Sequence, residues 1–114
     1  MDAKSDRIQN ALAYAGRNLR APLNVDRLAE AAHLSPRQFS RAFRTETGLS
    51  PAKAVERLRV EAARLMIEQS RHSIDVIAAE TGFADRERMR CAFLRAFGQP
   101  PQVIRRNARV EATD

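Results

Sequence analysis

Two short stretches of the chain are rich in arginine, at spacings that could read nucleic acid. The first stretch has three arginines and no acid among its polar residues, which are Arg37, Gln38, Ser40, Arg41 and Arg44. The second has four arginines and one acid, and consists of Arg86, Glu87, Arg88, Arg90 and Arg95. Arginine can bind O6 and N7 of guanine, glutamine can bind adenine, and glutamate can accept a hydrogen bond from N4 of cytosine. Both stretches therefore carry chemistry that could recognise base edges.

Helices are the predicted supports of both stretches, because apolar residues recur there at three- and four-residue steps. The predicted buried sides are Phe39, Ala42 and Phe43 in one helix and Met89, Ala92 and Phe93 in the other. No segment of the sequence alternates apolar and polar residues over several positions. The predicted fold class is therefore all-α, with about seven helices.

Local start and stop signals set the limits of these helices. Asn24 is the expected cap of a short second helix, and Ser35 followed by Pro36 starts the third. Gly48 fits a left-handed stop after the third helix. A second Ser-Pro pair, at 50–51, starts a fourth helix.

The fourth helix is predicted to run from position 51 to about position 69. Its predicted buried stripe is Val55, Leu58, Ala62, Leu65 and Met66. A helix of that length is roughly 28 Å long at about 1.5 Å per residue, and adjacent major grooves on one face of DNA lie about 34 Å apart. A rigid helix of this length could place two flanking helices in consecutive grooves without a dimer.

The pattern of the first half of the chain returns in the second half, which indicates an internal repeat. With a shift of 49 positions, Leu28 aligns with Ile77, Ala29 with Ala78, Leu34 with Phe83 and Arg37 with Arg86. One extra residue then follows, and a shift of 50 aligns Phe39 with Met89, Phe43 with Phe93 and Gly48 with Gly98. The repeat predicts two helix-turn-helix subdomains, 6–50 and 71–110, joined by a linker helix over 51–70.

Composition limits the classes of function. The chain has 114 residues, a size for one compact domain or two very small ones, and its net charge of +6 favours a polyanionic partner. The single cysteine, Cys91, excludes an intrachain disulfide framework and a cysteine-based zinc site. His33 and His72 are isolated in the sequence, so no catalytic function, metal, cofactor or small-molecule ligand is predicted. A polar start and the absence of a long apolar run predict a cytoplasmic chain.

On these motifs the chain resembles the DNA-binding domain of the AraC/XylS family of bacterial transcription regulators, over roughly 6–107. The matching segments are Leu28-Ala29, Ser35 to Phe43, Gly48 to Pro51, Ile77 to Phe83, Ala92-Phe93, Gly98 and Pro101. The stretch from Pro51 to Arg64 is similar to the subgroup whose N-terminal domain resembles class I amidotransferase or DJ-1-like folds.

The resemblance implies sequence-specific binding of double-stranded DNA for transcription regulation, with two recognition helices in adjacent major grooves of a bipartite site. It places Arg37, Gln38, Ser40 and Arg41 on the first recognition helix, and Arg86, Glu87, Arg88 and Arg90 on the second. Arg44 belongs to the outward face of the first helix. A nucleoid location follows, with RNA polymerase as a further candidate partner. Cys91 departs from the pattern because family members commonly carry arginine there.

Helix starts supply a further set of donors, since their free backbone amides can hold phosphates. The expected phosphate contacts are the helix starts at Asp26, Ile74 and Gln102, and the positive charges of Arg105 and Arg106 near the end of the chain.

Two other classes of function are open to this sequence. A helical protein-interaction module could use the positive charge to attract an acidic partner, although the duplicated arginine-bearing helices argue against it. An enzyme is disfavoured, because no nucleophile-base pair, carboxylate pair or glycine-rich phosphate loop is present.

The chain begins almost directly at its first helix, so a fragment of a longer regulator and a stand-alone regulator are both open.

Overall fold

Seven α-helices and no strand make up residues 3–113, which are the residues that the computed structural model describes. In chain order they are α1 Ala3–Arg17, α2 Val25–Ala31, α3 Pro36–Thr47, α4 Pro51–Gln69, α5 Ile74–Glu80, α6 Arg86–Phe97 and α7 Pro101–Thr113. The predicted all-α class is confirmed.

The predicted helix signals form their expected local bonds. The Asn24 side chain accepts the backbone N–H of Arg27 at 2.9 Å and caps α2. Ser35 caps α3, and Pro36 is the first residue of that helix. Gly48 follows α3 in the left-handed conformation, with φ of 73°. A residue without a Cβ adopts this conformation without steric cost, which explains why the helix stops there.

The chain divides into two compact units, Met1–Leu58 and Arg59–Asp114, so the boundary falls within α4. In the first unit, α1, α2, α3 and the start of α4 surround a core that contains Ile8, Ala11, Ala15, Leu28, Ala29, Ala32, Phe39, Phe43, Ala54 and Val55. In the second unit, the end of α4 packs with α5, α6 and α7 around Val60, Ala63, Ile67, Ile77, Ala78, Met89, Ala92, Phe93 and Ile104. Each unit therefore has its own apolar core.

The buried stripe predicted for α4 is wrong at Leu65, whereas Met66 is half-buried against the second core as predicted. Leu65 is 56% exposed, whereas Val60, Ala63 and Ile67 are buried in the second core. The predicted stripe extends the side of α4 on which Val55 packs into the first core. The second core takes a different set of residues, at steps of three and four, so one continuous stripe does not describe the helix.

The register of the internal repeat also differs from the alignment by sequence. Leu34 and Phe83 are equivalent, because their amides donate to the carbonyl oxygens of Ala29 and Ala78 at 3.0 and 2.9 Å. The next helix is capped by Ser35 in the first unit but by Asp85 in the second. The extra residue is therefore Ala84, in the turn. Arg37 corresponds to Glu87 and Gln38 to Arg88, so the predicted pairing of Arg37 with Arg86 is wrong.

Candidate nucleic-acid interface

The outward face of α3 is basic from Arg37 to Arg44. Phe39 and Phe43 are buried, with ring centroids 5.5 Å apart, and they fix which side of the helix faces the core. Of the residues predicted to bind DNA on this helix, Arg37, Gln38, Arg41 and Arg44 are exposed and Ser40 is half-buried. The structure thus brings all five onto one helix, with four of them open to solvent.

The polar side chains on the outward face of α3 differ in whether they already form hydrogen bonds within the fold. Gln38 belongs to the capping box, in which its Oε1 accepts the backbone N–H of Ser35 at 3.2 Å. Its side-chain NH2 group remains available as a donor. No ion pair engages Arg37, Arg41 or Arg44 within the part of the chain that the structure describes. Their guanidinium groups can reach a partner without breaking an existing ion pair.

The outward face of α6 is also basic, but three of its arginines form ion pairs with acids. Met89, Ala92 and Phe93 are buried, and the predicted residues Arg86, Glu87, Arg88 and Arg90 are all exposed. Three ion pairs link this face, namely Arg86 to Asp75 at 3.7 Å, Arg88 to Asp85 at 3.9 Å and Arg90 to Glu87 at 3.0 Å. Exposed pairs of this kind are weak, about 0.2 to 1 kcal/mol each. DNA could displace them at small cost.

Of the three acids in these ion pairs, only Glu87 is among the site residues predicted from the sequence. Asp85 and Arg88, like Glu87 and Arg90, are three residues apart on one helix, a spacing that brings side chains together. Asp75 and Arg86 lie on different helices, so no local spacing indicates that pair.

Cys91 is half-buried beside the same cluster. Its Sγ lies 3.9 Å from Oε1 of Glu87. A thiol is a weak donor and cannot form the bidentate guanine contact of arginine. Any guanine contact from this part of α6 must come from a neighbouring arginine.

Four of the five predicted phosphate contacts lie together in the second unit. Ile74, Gln102, Arg105 and Arg106 line one groove of about 560 Å³, together with Arg109 and Val110. The fifth, Asp26, is the second residue of α2 in the first unit and is exposed. The groove combines three guanidinium groups with the start of α7, where Val103 and Ile104 donate their backbone N–H groups to the carbonyl oxygen of Pro100 and the N–H of Gln102 lies in the first turn.

Arg105 forms two hydrogen bonds within the fold that the sequence did not predict. Its Nε donates to the carbonyl oxygen of Ile67 at 3.1 Å, and one terminal nitrogen donates to that of Ser70 at 3.3 Å. These carbonyls lie at the C-terminal end of α4, where helical acceptors lack partners. Burial, and secondarily the positive charge of Arg109, lower the pKa of Arg105. Arg106 in the same groove is exposed.

Among 3–113, no cluster of three or more histidine, cysteine or acidic side chains could hold a metal ion. None of the seven helices described combines the length and apolar character that a membrane crossing requires.

Similarity to known proteins agrees with this architecture. A family model described as a helix-turn-helix domain matches residues 28–107. The fold is similar to the DNA-binding domain of AdpA in complex with a target DNA, with 32% identity, a TM-score of 0.86, and coverage of 91% of this chain and 94% of that one. It is also similar to an AraC-type transcriptional regulator from Chromobacterium violaceum, with 26% identity, a TM-score of 0.85, and coverage of 91% and 93%.

Two curated relatives match over most of this chain. The HTH-type transcriptional regulator Rv1931c of Mycobacterium tuberculosis is 42% identical over 82 residues, which are 72% of this chain and 32% of that protein. The transcriptional activator RhaS of Pectobacterium carotovorum is 33% identical over 101 residues, which are 89% of this chain and 36% of that protein. The chain thus spans about a third of the length of these relatives.

The fold, the two basic faces and these matches together define a helix-turn-helix domain. The chain belongs to the AraC family of such domains. The narrower resemblance to the amidotransferase-like subgroup stays a prediction.

Proposed function

We propose that this chain is the sequence-specific DNA-binding domain of a bacterial transcription regulator, and that α3 and α6 are its two recognition helices. They enter adjacent major grooves of a bipartite site. The domain itself carries out no chemical reaction, and it acts in the cytoplasm, at the chromosome. The observation that carries the proposal is the outward face of α3, where Arg37, Arg41 and Arg44 form no ion pair with any described residue while Phe39 and Phe43 anchor the opposite side.

Base recognition by α3 follows from the donors that it presents. A guanidinium group offers a planar fork of N–H donors that fits O6 and N7 of guanine. Because Arg37, Arg41 and Arg44 have no ion pair to lose among the residues that the structure describes, we assign to α3 most of the binding free energy. Gln38 contributes its NH2 group, while its oxygen keeps the capping bond to Ser35.

Base recognition by α6 differs from that by α3, because binding of DNA also costs the free energy of its ion pairs. Each of Arg86, Arg88 and Arg90 must leave or share an acid when it binds DNA. These acids also repel phosphates, so α6 gains little from non-specific backbone contact. We assign to α6 a smaller share of the affinity and a larger share of the discrimination between sequences.

Phosphate contacts are assigned to the groove of the second unit. Arg106 and Gln102 are exposed there, and α7 begins beside them. Arg105 keeps its bonds to the end of α4 and contributes charge through its remaining N–H groups. Asp26 and Ile74 contribute through backbone N–H groups in the first turns of α2 and α5. These contacts position the domain on the duplex without reading sequence.

Similarity to the AdpA domain, whose structure holds a target DNA, supports this function at 32% identity over nearly the whole domain. The repeated helix-turn-helix unit supports two reading helices in one chain. A protein-interaction module is the alternative outcome of the test.

Selection from a random duplex library tests the proposal. We expect a bipartite consensus, and affinity for it that falls steeply with salt but exceeds the affinity for random duplex by about 10³-fold or more. Arg37→Ala combined with Arg41→Ala removes two charges from α3. Arg17→Ala combined with Arg57→Ala removes two exposed charges outside both recognition helices and is the matched control. Enrichment of no sequence, or equal losses in both double variants, would contradict the proposal.

A further inference from the structure

Glu87 is the only acid in the sequence of α6, and it lies on the outward face of that helix. Its side chain is 67% exposed. The other polar side chains of the helix are arginines, of which Arg86, Arg88 and Arg90 share its face. An acid at the centre of a surface that approaches DNA lowers the affinity for phosphate. Its place therefore requires a reason other than general attraction to DNA.

The same helical position carries opposite charges in α3 and α6. Ser35 and Asp85 cap the two recognition helices, so Arg37 and Glu87 occupy the same second helical position. One unit thus presents a cation and the other an anion at the same place. Capping of α6 does not require Glu87, because the Asp85 carboxylate already accepts the backbone N–H of Arg88 at 2.8 Å.

The carboxylate of Glu87 is held next to one guanidinium group. A terminal nitrogen of Arg90 donates to Oε1 of Glu87 at 3.0 Å, and both side chains are about half exposed or more. An acceptor and a forked donor are thereby presented side by side, one helical turn apart on the backbone.

A C·G base pair offers the complementary arrangement in the major groove. Cytosine N4 is a donor, and guanine O6 and N7 beside it are acceptors. We propose that Glu87 is a specificity-determining residue of α6, which accepts from cytosine N4 while Arg90 binds the guanine of the same base pair. This inference rests on the proposed function of α6 and adds the base pair that this part of the helix reads.

Discrimination follows from what Glu87 meets on other base pairs. Thymine O4 and the purine N7 are acceptors and repel a carboxylate, and adenine N6 is a donor whose base pair offers Arg90 no guanine. On such sequences Glu87 stays paired with Arg90, so the arginine gains no base contact. The pair therefore opposes binding at a mismatched site instead of being neutral to it.

Two substitutions on α6 test this inference through base preference. In Glu87→Gln the side chain keeps its shape and loses its charge, and its amide gains a donor with which it can bind adenine N6 and N7 together. We expect wild type to prefer C·G by about tenfold at one position of the second half-site, and Glu87→Gln to lose that preference and favour A·T there. Arg90→Ala should weaken the preference at the same position. Circular dichroism melting checks that both variants are folded.

Glu68→Gln is the matched control, because Glu68 also forms an exposed ion pair on one helix, with Arg64 at 3.3 Å on α4. It adds the same charge outside the recognition helices, and its base preferences should equal those of wild type. The inference is overturned if Glu87→Gln keeps the C·G preference, or if Glu87→Gln and Arg90→Ala change different positions. Failure of the wild-type chain to select any duplex would instead overturn the proposed function itself.

Discussion

His33 and Gly82 occupy the same place in the two units, and both have a positive φ, 57° and 87°. Each lies between a short helix and a residue whose amide donates back to that helix, from Leu34 to Ala29 in one unit and from Phe83 to Ala78 in the other. The turn of the helix-turn-helix therefore requires a left-handed residue. The second unit meets this requirement with glycine, whereas the first uses an L-residue that adopts it only with strain.

Replacing His33 with glycine should stabilise the first unit. A left-handed conformation costs an L-residue about 1 to 2 kcal/mol, and the greater freedom of glycine in the unfolded chain removes about 0.5 to 1 kcal/mol of that gain. We expect His33→Gly to raise the free energy of unfolding by about 0.5 to 1 kcal/mol in urea titrations. Gly82→Ala should lower it by about 1 kcal/mol, because alanine must then adopt the same conformation. A destabilised His33→Gly variant would show that the histidine side chain has a role in the fold.

Arg41→Ala should reduce binding to the selected duplex by about 1 to 3 kcal/mol and relax one base preference, because Arg41 is exposed on α3 and pairs with no acid in residues 3–113. Titrations of cognate and random duplexes at one salt concentration measure both effects. Arg17→Ala, which removes an exposed charge from α1, should change neither strongly. Equal losses on the two duplexes would assign Arg41 to phosphate contact instead of base reading.

Phe43→Ala should lower the free energy of unfolding by about 3 to 5 kcal/mol, because a buried ring packed against Phe39 is lost. Hydrogen exchange should rise most in α1, α2 and α3, since Phe43 belongs to the core of the first unit. Leu65→Ala tests the corrected face of α4 and should cost less than about 1 kcal/mol, as expected of an exposed side chain. A loss near that of Phe43→Ala would show that Leu65 is buried in solution.

Arg105 and Arg106 should separate into a structural and a binding residue. Arg105→Ala removes two hydrogen bonds to the end of α4 and should lower the free energy of unfolding by about 1 to 2 kcal/mol. Arg106→Ala should leave the melting temperature unchanged, but weaken cognate and random duplexes alike and reduce the salt slope by about 1. The reverse assignment of the two phenotypes would contradict the geometry of the groove.

Much of the fold could be read from local signals. Asn24, the Ser35-Pro36 pair and Gly48 act within a few residues of themselves, so the helix limits that they predict are the ones observed. The apolar steps around Phe39 and Phe43 likewise predict the buried side of α3, and with it the outward arginines. A helix leaves little choice of face once its buried residues are known.

The sequence by itself determined the repeated unit, the helix ends and the two basic faces, because each depends on neighbours within one or two turns. Only the tertiary structure decided that Ala84 is the extra residue, so that Glu87 and Arg37 share a position. It also decided that Leu65 faces solvent, and that Arg105 binds the end of α4 across 38 positions of sequence. These outcomes depend on which distant helices meet, and local spacing carries no information about that.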